Sequence, residues 1–197
     1  MYAQSTTATF NANGFNVTFA TYTLGATINM GSGTWTVTGA GASAWLDSAS
    51  AISASTSTLK FTSASAKTFA SNSRTYNNIW NAGAGALTVG NGNLTFNNIR
   101  ADAGTTTLFK AGNTITFASL TFDATAGANG TVSSTASGST TTITKTGGGL
   151  TTLDRFNIKD IIANGTSATY KARSSVDQGN NTGITFVSGN SNLLQFF

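Results

Sequence analysis

The sequence predicts an all-β fold, a single-stranded parallel β-helix (β-solenoid) with about 20 residues per coil and capped ends. Three four-residue stretches share one pattern: an aromatic residue, two small residues and an aliphatic residue. They start at positions 76, 96 and 117. Such a recurrence is typical of solenoids, because each coil is a structural unit that stacks on the one before it. The stretches are Tyr76-Asn77-Asn78-Ile79, Phe96-Asn97-Asn98-Ile99 and Phe117-Ala118-Ser119-Leu120.

The composition favours strands and turns over helices. Gly accounts for 22 of the 197 residues, and Thr, Ser, Ala and Asn fill most other positions. These residues favour strands and turns, whereas stable helices need Glu, Lys, Leu, Gln or Arg. Hydrophobic residues still make up 39% of the chain and charged residues only 8%, so the composition is not that of a disordered chain.

The predicted strands are short and are separated by glycine-rich turns. Strands of three to six residues closed by Gly-x-Gly elements indicate all-β structure, and the recurrence favours a solenoid over a sandwich. The turns are expected at 31–33, 39–41, 83–85, 90–92 and 147–149. The strands are expected at 15–19, 35–38, 58–62, 86–89, 94–96, 106–110, 114–117, 142–145 and 156–161.

The repeated stretches are predicted to be corners of the coil. On a regular strand, Phe96 and Ile99 would point to opposite faces, because side chains alternate. A two-residue corner, with one Asn in the left-handed conformation, lets both enter the core. Stacking of the coils would then place Asn77 near Asn97, and their amides would hydrogen-bond between coils. The predicted core corner is Tyr76, Asn77, Asn78 and Ile79 with Phe96, Asn97, Asn98 and Ile99.

The pattern weakens toward both ends of the chain. An inverted version occurs at Leu153-Asp154-Arg155-Phe156, and its distance from Phe117 indicates two shorter coils with Val132-Ser133-Ser134-Thr135 between them. Within one elongated domain, we therefore expect an N-terminal cap or irregular coils at 1–33, the solenoid at 34–186 and a C-terminal capping or docking tail at 187–197.

The C-terminal tail carries a dense run of apolar residues. A parallel stack leaves unpaired backbone groups at its two ends, and these recruit other strands unless they are covered. The favoured interpretation is that the tail covers the last coil of its own chain, and the alternative is docking into a partner. The candidate docking residues are Leu193, Leu194, Phe196 and Phe197.

The residue types predict neither enzyme activity nor a cofactor. The chain has no His and no Cys, so the usual general base, the thiol nucleophile and most transition-metal ligands are missing. A sugar-cleaving site needs two carboxylates facing each other across the substrate. The candidate acids Asp102, Asp123, Asp154 and Asp160 are instead expected singly, in separate coils.

Charge and hydropathy point away from nucleic acid and membranes as partners. The net charge is +4, but the basic residues are scattered from Lys60 to Arg173 and form no phosphate-tracking groove. The sequence shows no secretory signal and no apolar stretch long enough to span a bilayer, so we expect a soluble protein.

Three Thr-x-Thr segments suggest a flat threonine surface of the ice-binding type. They are Thr36-Val37-Thr38, Thr114-Ile115-Thr116 and Thr142-Ile143-Thr144. The intervals between their starting positions do not share one coil length. The favoured interpretation is therefore an ordinary β-branched solenoid surface.

Several segments resemble β-helical virion proteins of tailed bacteriophages. They are Thr34-Trp35-Thr36-Val37-Thr38-Gly39, Thr58-Leu59-Lys60-Phe61-Thr62, Tyr76-Asn77-Asn78-Ile79-Trp80 and the ending Gly183-Ile184-Thr185-Phe186, where that family has Gly-Trp before the Phe. The resemblance covers roughly 34–186. It implies a fibre, spike or capsid decoration protein on the virion, an extracellular particle, with capsid or tail proteins as partners. It also implies a homo-oligomer, often a trimer.

Two further functions are compatible with this sequence. A carbohydrate-binding adhesin or receptor-binding module of the tail spike type would contact a surface glycan through exposed aromatic residues, and the candidates are Trp80 and Tyr170. A polysaccharide-cleaving enzyme would need facing Asp residues in a groove. The favoured prediction is a structural virion component anchored through one end.

Overall fold

A computed structural model of the chain describes residues 2–3, 9–24, 27–47 and 51–188. Within these ranges the chain is all-β, and every pairing between its strands is parallel. Lys67 pairs with Leu87 and Tyr76 pairs with Phe96, one coil later in each case, which confirms the predicted β-solenoid. The described residues contain no helix that is long and apolar enough to cross a membrane.

The strands form three faces that the chain visits in a fixed order. The first face is a nine-stranded sheet. Its strands are β1 (Tyr2–Ala3), β4 (Tyr22–Leu24), β7 (Gly41–Asp47), β10 (Lys67–Ser71), β12 (Leu87–Gly90), β14 (Thr106–Phe109), β16 (Gly130–Ser134), β19 (Phe156–Lys159) and β22 (Val176–Asp177).

The second and third faces share three long strands that bend from one face to the other. These are β11 (Thr75–Asn81), β13 (Leu94–Ala101) and β15 (Thr114–Phe122). The second face also has β2 (Thr9–Asn11), β5 (Thr27–Asn29), β8 (Ile52–Ser53), β17 (Thr141–Lys145) and β20 (Ile161–Asn164). The third face also has β3 (Val17–Phe19), β6 (Thr34–Val37), β9 (Thr58–Phe61), β18 (Gly149–Thr152), β21 (Ala168–Arg173) and β23 (Ile184–Val187).

The repeated stretches lie where the long strands bend. Tyr76 pairs with Phe96, and Ile79 pairs with Ile99, while the residues just after the aromatics are skipped in the register. All four of these aromatic and aliphatic side chains are buried in the core. The predicted corner with both flanking side chains inward is therefore confirmed, since a bend lets residues three apart face the same interior.

The predicted means of turning this corner was wrong. Neither Asn of either stretch has a positive φ, so the strand bends without a left-handed residue. A left-handed residue does occur at the Leu153–Phe156 corner, where Arg155 has φ 63°. That corner joins the third face to the first, which is a different edge of the coil.

Asparagine side chains do bond between coils, but with other partners than predicted. Asn97 Nδ2 donates to Asn78 Oδ1 at 3.5 Å, and Ser119 Oγ donates to Asn98 Oδ1 at 2.9 Å. Asn77 Nδ2 instead donates to the Ser57 carbonyl. Asn98 and Ser119 are register partners, whereas Asn97 and Asn78 are not, so these bonds do not form one continuous ladder of register partners.

One long coil replaces the two short coils expected after Phe117. Thr116 pairs directly with Thr144, because the chain makes two extra turns at the corners 123–129 and 135–140. Val132 is therefore not a corner residue. It lies in β16 on the first face, fully buried between Thr107 and Ile158.

The described N-terminal residues belong to the same stack. β3 pairs with β6, and β4 pairs with β7, so no break in the sheets occurs at residue 33. The coils there vary in length, because the coil from Val17 to its partner Trp35 is shorter than the coil from Trp35 to Leu59. The tail residues Leu193, Leu194, Phe196 and Phe197 lie outside the described residues.

The burial of Phe96 beside the exposed Asn97 predicts that alanine substitutions at these two positions have very different effects on stability. Phe96→Ala should lower the free energy of unfolding by about 3–5 kcal/mol, because it leaves a cavity in a close-packed column. Asn97→Ala should change it by less than about 0.5 kcal/mol, because Asn97 is exposed. Urea unfolding followed by circular dichroism measures both. Equal losses for the two variants would contradict the bent corner.

Candidate functional site

The N-terminal end of the stack carries an apolar pocket, which we call the end pocket. Its volume is about 260 Å³, and its apolar lining is Phe10, Val17, Phe19, Tyr22 and Trp35. The first four lie on β2, β3 and β4, consecutive strands of one coil, while Trp35 lies on the next coil. The pocket is therefore the end of the hydrophobic core.

Close aromatic packing holds the base of the end pocket. The Trp35 ring meets Phe10 edge-on at a centroid distance of 5.5 Å, and the Trp45 ring stacks on Tyr22 at 3.8 Å. The Trp35 indole N–H donates to the Met30 carbonyl at 3.1 Å. These contacts give the pocket a close-packed aromatic base.

The turn between two strands that line the end pocket, which we call the rim, exposes further apolar surface. Phe15, in the turn between β2 and β3, is 73% exposed, more than any other large hydrophobic residue in the described ranges. Phe10, Val17 and Phe19 are only partly buried. Apolar residues grouped at one end of a molecule, beside a pocket, mark a contact surface.

A buried polar cluster lies beneath the aromatic base. Asp47 Oδ2 accepts hydrogen bonds from Ser71 Oγ at 2.7 Å and from Tyr76 OH at 2.9 Å, and it pairs with Arg74 Nε at 2.8 Å. The Trp45 indole N–H donates to Tyr76 OH. Burial and the Asp47 charge raise the pKa of Tyr76 above its ordinary value. The raised pKa keeps the Tyr76 hydroxyl protonated, and this hydroxyl fixes Trp45 from below.

Trp80 lies on the outer side of the third face between two cations. The Lys60 ammonium is 3.9 Å from the centroid of the Trp80 ring, and the Arg100 guanidinium carbon is 4.2 Å from it. Both residues are register partners of Trp80 in the neighbouring coils. The Trp80 indole N–H donates to Asp102 Oδ1 at 2.8 Å. Cation–π contacts therefore cover both faces of the ring.

These contacts bear on the two predicted glycan-contact residues. Tyr170 is 2% exposed, so its prediction as an exposed platform was wrong: its ring lies in the core, and its hydroxyl donates to the Asn164 carbonyl at 2.7 Å. Burial raises the pKa of Tyr170 to about 12. Trp80 is half-buried, but Lys60 and Arg100 cover the faces on which a sugar would stack. Glycan binding stays a prediction, but neither Trp80 nor Tyr170 offers an open ring face for it.

The candidate acids make structural contacts. Asp102 and Asp123 both pair with Arg100, at 3.2 Å each. Asp154 Oδ1 accepts from the Arg173 amide, and Asp160 accepts from Asn180 and from the Gly138 amide. The Asn180 hydrogen bond is the largest cause of a lowered pKa at Asp160. The expectation of no enzyme activity stays a prediction.

Lys67 is a buried cation at the corner between the third and first faces. Its ammonium donates to the carbonyl oxygens of Ser63, Gly83 and Gly85, at 3.0, 3.2 and 2.6 Å. It therefore joins two stacked corners. Burial lowers the pKa of Lys67 to about 8, because no carboxylate compensates its charge within the described ranges. In the described ranges there is no group of three or more His, Cys, Asp or Glu that could hold a metal ion.

The end pocket was not predicted from the sequence. The aromatic residues at positions 10, 15, 19 and 22 form a dense run that could have indicated it, but they lie outside the recurring pattern. Comparisons with protein-family models, with curated proteins and with solved structures found no match to the chain. The bacteriophage resemblance therefore rests on the sequence segments alone.

Lys67 predicts an unusual rise of stability with pH. The folded state releases this proton near pH 8 and the unfolded state near 10.5, so the unfolded state binds more protons between these values. Stability should therefore rise by about 1–2 kcal/mol from pH 7 to 9.5. Lys67→Met should abolish the rise, whereas the exposed control Lys110→Met should keep it.

The pH series should stop at 9.5 because of the buried tyrosines. The raised pKa of Tyr76 lowers stability as the pH rises, which is the opposite of the Lys67 effect. The folded state keeps a proton that the unfolded state loses near pH 10. Urea midpoints at each pH provide the measurement. Urea midpoints that do not change with pH in the unmodified chain would contradict a lowered pKa at Lys67.

Proposed function

We propose that this chain is a structural component of a bacteriophage virion, a β-helical capsid decoration or fibre protein anchored through one end. The observation that carries the proposal is the end pocket with the exposed Phe15 beside it. It gives the rod one end suited to apolar contact. The virion assignment follows the sequence resemblance, and the end pocket favours the N-terminal end as the proposed anchor.

The sides of the rod support a structural role. Thr75, Thr95, Thr116 and Thr144 are successive register partners on the second face, so their side chains form a continuous outward column. The long coil between Thr116 and Thr144 does not interrupt this column. Short hydroxyl side chains on a regular ladder present few charges and few protruding groups to proteases or salt.

The proposed partner is another virion protein that presents an apolar side chain to the end pocket. Such a contact anchors the rod at one end and leaves its sides exposed. This arrangement suits either a decoration protein or a fibre. The exposed rim and the aromatic base act together, because Phe15 adds apolar contact area to the coil that carries the pocket. Homo-oligomerisation, trimers included, is part of the proposal.

Particles of the source virus provide the test. Mass spectrometry of purified virions should detect the chain, and purified protein should rebind to particles that lack it. Phe15→Ser should weaken rebinding by about tenfold or more, because about 1.5–3 kcal/mol of apolar burial is lost. Leu150→Ser is the matched control: Leu150 is 53% exposed but lies toward the other end of the stack.

Two results would reject the proposal. The first is virions that never contain the chain. The second is equal rebinding of the unmodified protein and of the Phe15→Ser and Leu150→Ser variants. This result would show that the pocket end of the molecule does not take part in attachment.

A further inference from the structure

We propose that the end pocket of one copy receives the C-terminal segment Leu193-Leu194-Gln195-Phe196-Phe197 of a second copy, so that copies join head to tail. This inference rests on the proposed function in one respect: it names a second copy of the chain as a partner of the same end pocket. It selects the fibre over the isolated decoration.

The tail and the end pocket are chemically complementary. The end pocket is lined by four aromatic residues and one valine, apart from small residues. Four of the last five residues of the sequence are large and apolar. The pocket volume of about 260 Å³ exceeds the roughly 150 Å³ of an apolar cavity known to hold benzene. One phenylalanine ring therefore fits with room to spare.

The reach of the tail favours a second copy over the same chain. The last described residue, Ser188, follows β23 in the final coil, and Phe197 lies nine residues after it. Fully extended, nine residues span at most about 31 Å. On the first face, the strands from β4, which lines the end pocket, to β22 are separated by seven coil steps, or about 34 Å at the usual strand spacing. A tail thus falls short of the end pocket of its own chain, and only another copy's pocket is within range.

The strands at the two ends of the stack run in the same direction. All strands pair in parallel, so the outer strand β1 of one copy and the outer strand β22 of another can meet as parallel neighbours. Bringing them together extends the ladder and covers edges that would otherwise recruit strands indiscriminately. Because the two surfaces differ, the contact is heterologous and repeats along the rod axis without closing.

The test uses purified full-length chain without virus particles. Sedimentation velocity from about 1 to 100 μM should show rods that lengthen with concentration, and electron microscopy should show particle lengths in steps of about 40 Å. Phe196→Ser/Phe197→Ser should weaken self-association by about tenfold or more for each ring. Val17→Arg should do the same, because it places a charge in the end pocket.

Mixing the variants separates tail from pocket. The double-serine tail variant keeps an intact pocket, and Val17→Arg keeps an intact tail, so an equimolar mixture should give dimers and nothing longer. Leu150→Ser is the control for loss of an exposed apolar side chain, and it should assemble normally. Should Val17→Arg fail to fold, a synthetic peptide of residues 191–197 replaces it, and excess peptide should shorten the rods.

Three results would overturn the inference. They are a chain that stays monomeric at the highest concentration, a tail variant that assembles normally, and a tail variant whose melting temperature falls while association is unchanged. The last would show that the tail covers its own final coil. None of these three results predicts the outcome of the rebinding experiment with virus particles. The proposed function is therefore tested independently of this inference.

Discussion

The register between stacked coils is the constraint on which the rest of this structure depends. One alignment sets both the backbone ladder and the column of core side chains, so a slip of one residue would turn a coil's apolar set outward. Tyr76, Phe96 and Phe117 are aligned in this way through two successive pairings. Length variation is therefore accommodated at corners, as at 123–129 and 135–140, where the extra residues leave the register of the first and second faces unchanged.

The same constraint explains why the sides and ends of the molecule differ. Inside, two buried polar groups bond across coils: Lys67 donates to three corner carbonyls, and Asn81 Nδ2 donates to the Thr106 carbonyl at 2.9 Å. Among the described residues, Asn81 Oδ1 and Tyr22 OH are buried without a hydrogen-bond partner. Along the sides, most strands have partners above and below, although no pairing joins β8 to β11 or β15 to β18. At the N-terminal end, the apolar core opens into the end pocket.

The corner residues of the recurring stretches could be predicted from the sequence. The aromatic and aliphatic residues three apart implied a bend with both side chains inward, and Phe96 and Ile99 are both buried. Register across the long coil was not predictable from spacing, because Val132 has the hydrophobicity of a corner residue but belongs to another face. Tyr170 looked like a surface aromatic because the apolar body of tyrosine and its polar tip suit either environment. The end pocket was missed because its aromatics come from coils of unequal length.

A disulfide test across the long coil addresses this register most directly. The chain has no cysteine, so Thr116→Cys/Thr144→Cys introduces a single possible bridge between two outward residues on adjacent strands. Register partners in neighbouring strands lie within the Cα separation that a disulfide spans. Under mild oxidation this pair should close, whereas Thr116→Cys/Thr131→Cys, the pairing implied by the sequence repeat, should stay reduced. Closure of the second pair without the first would contradict the register of the long coil and the stack built on it.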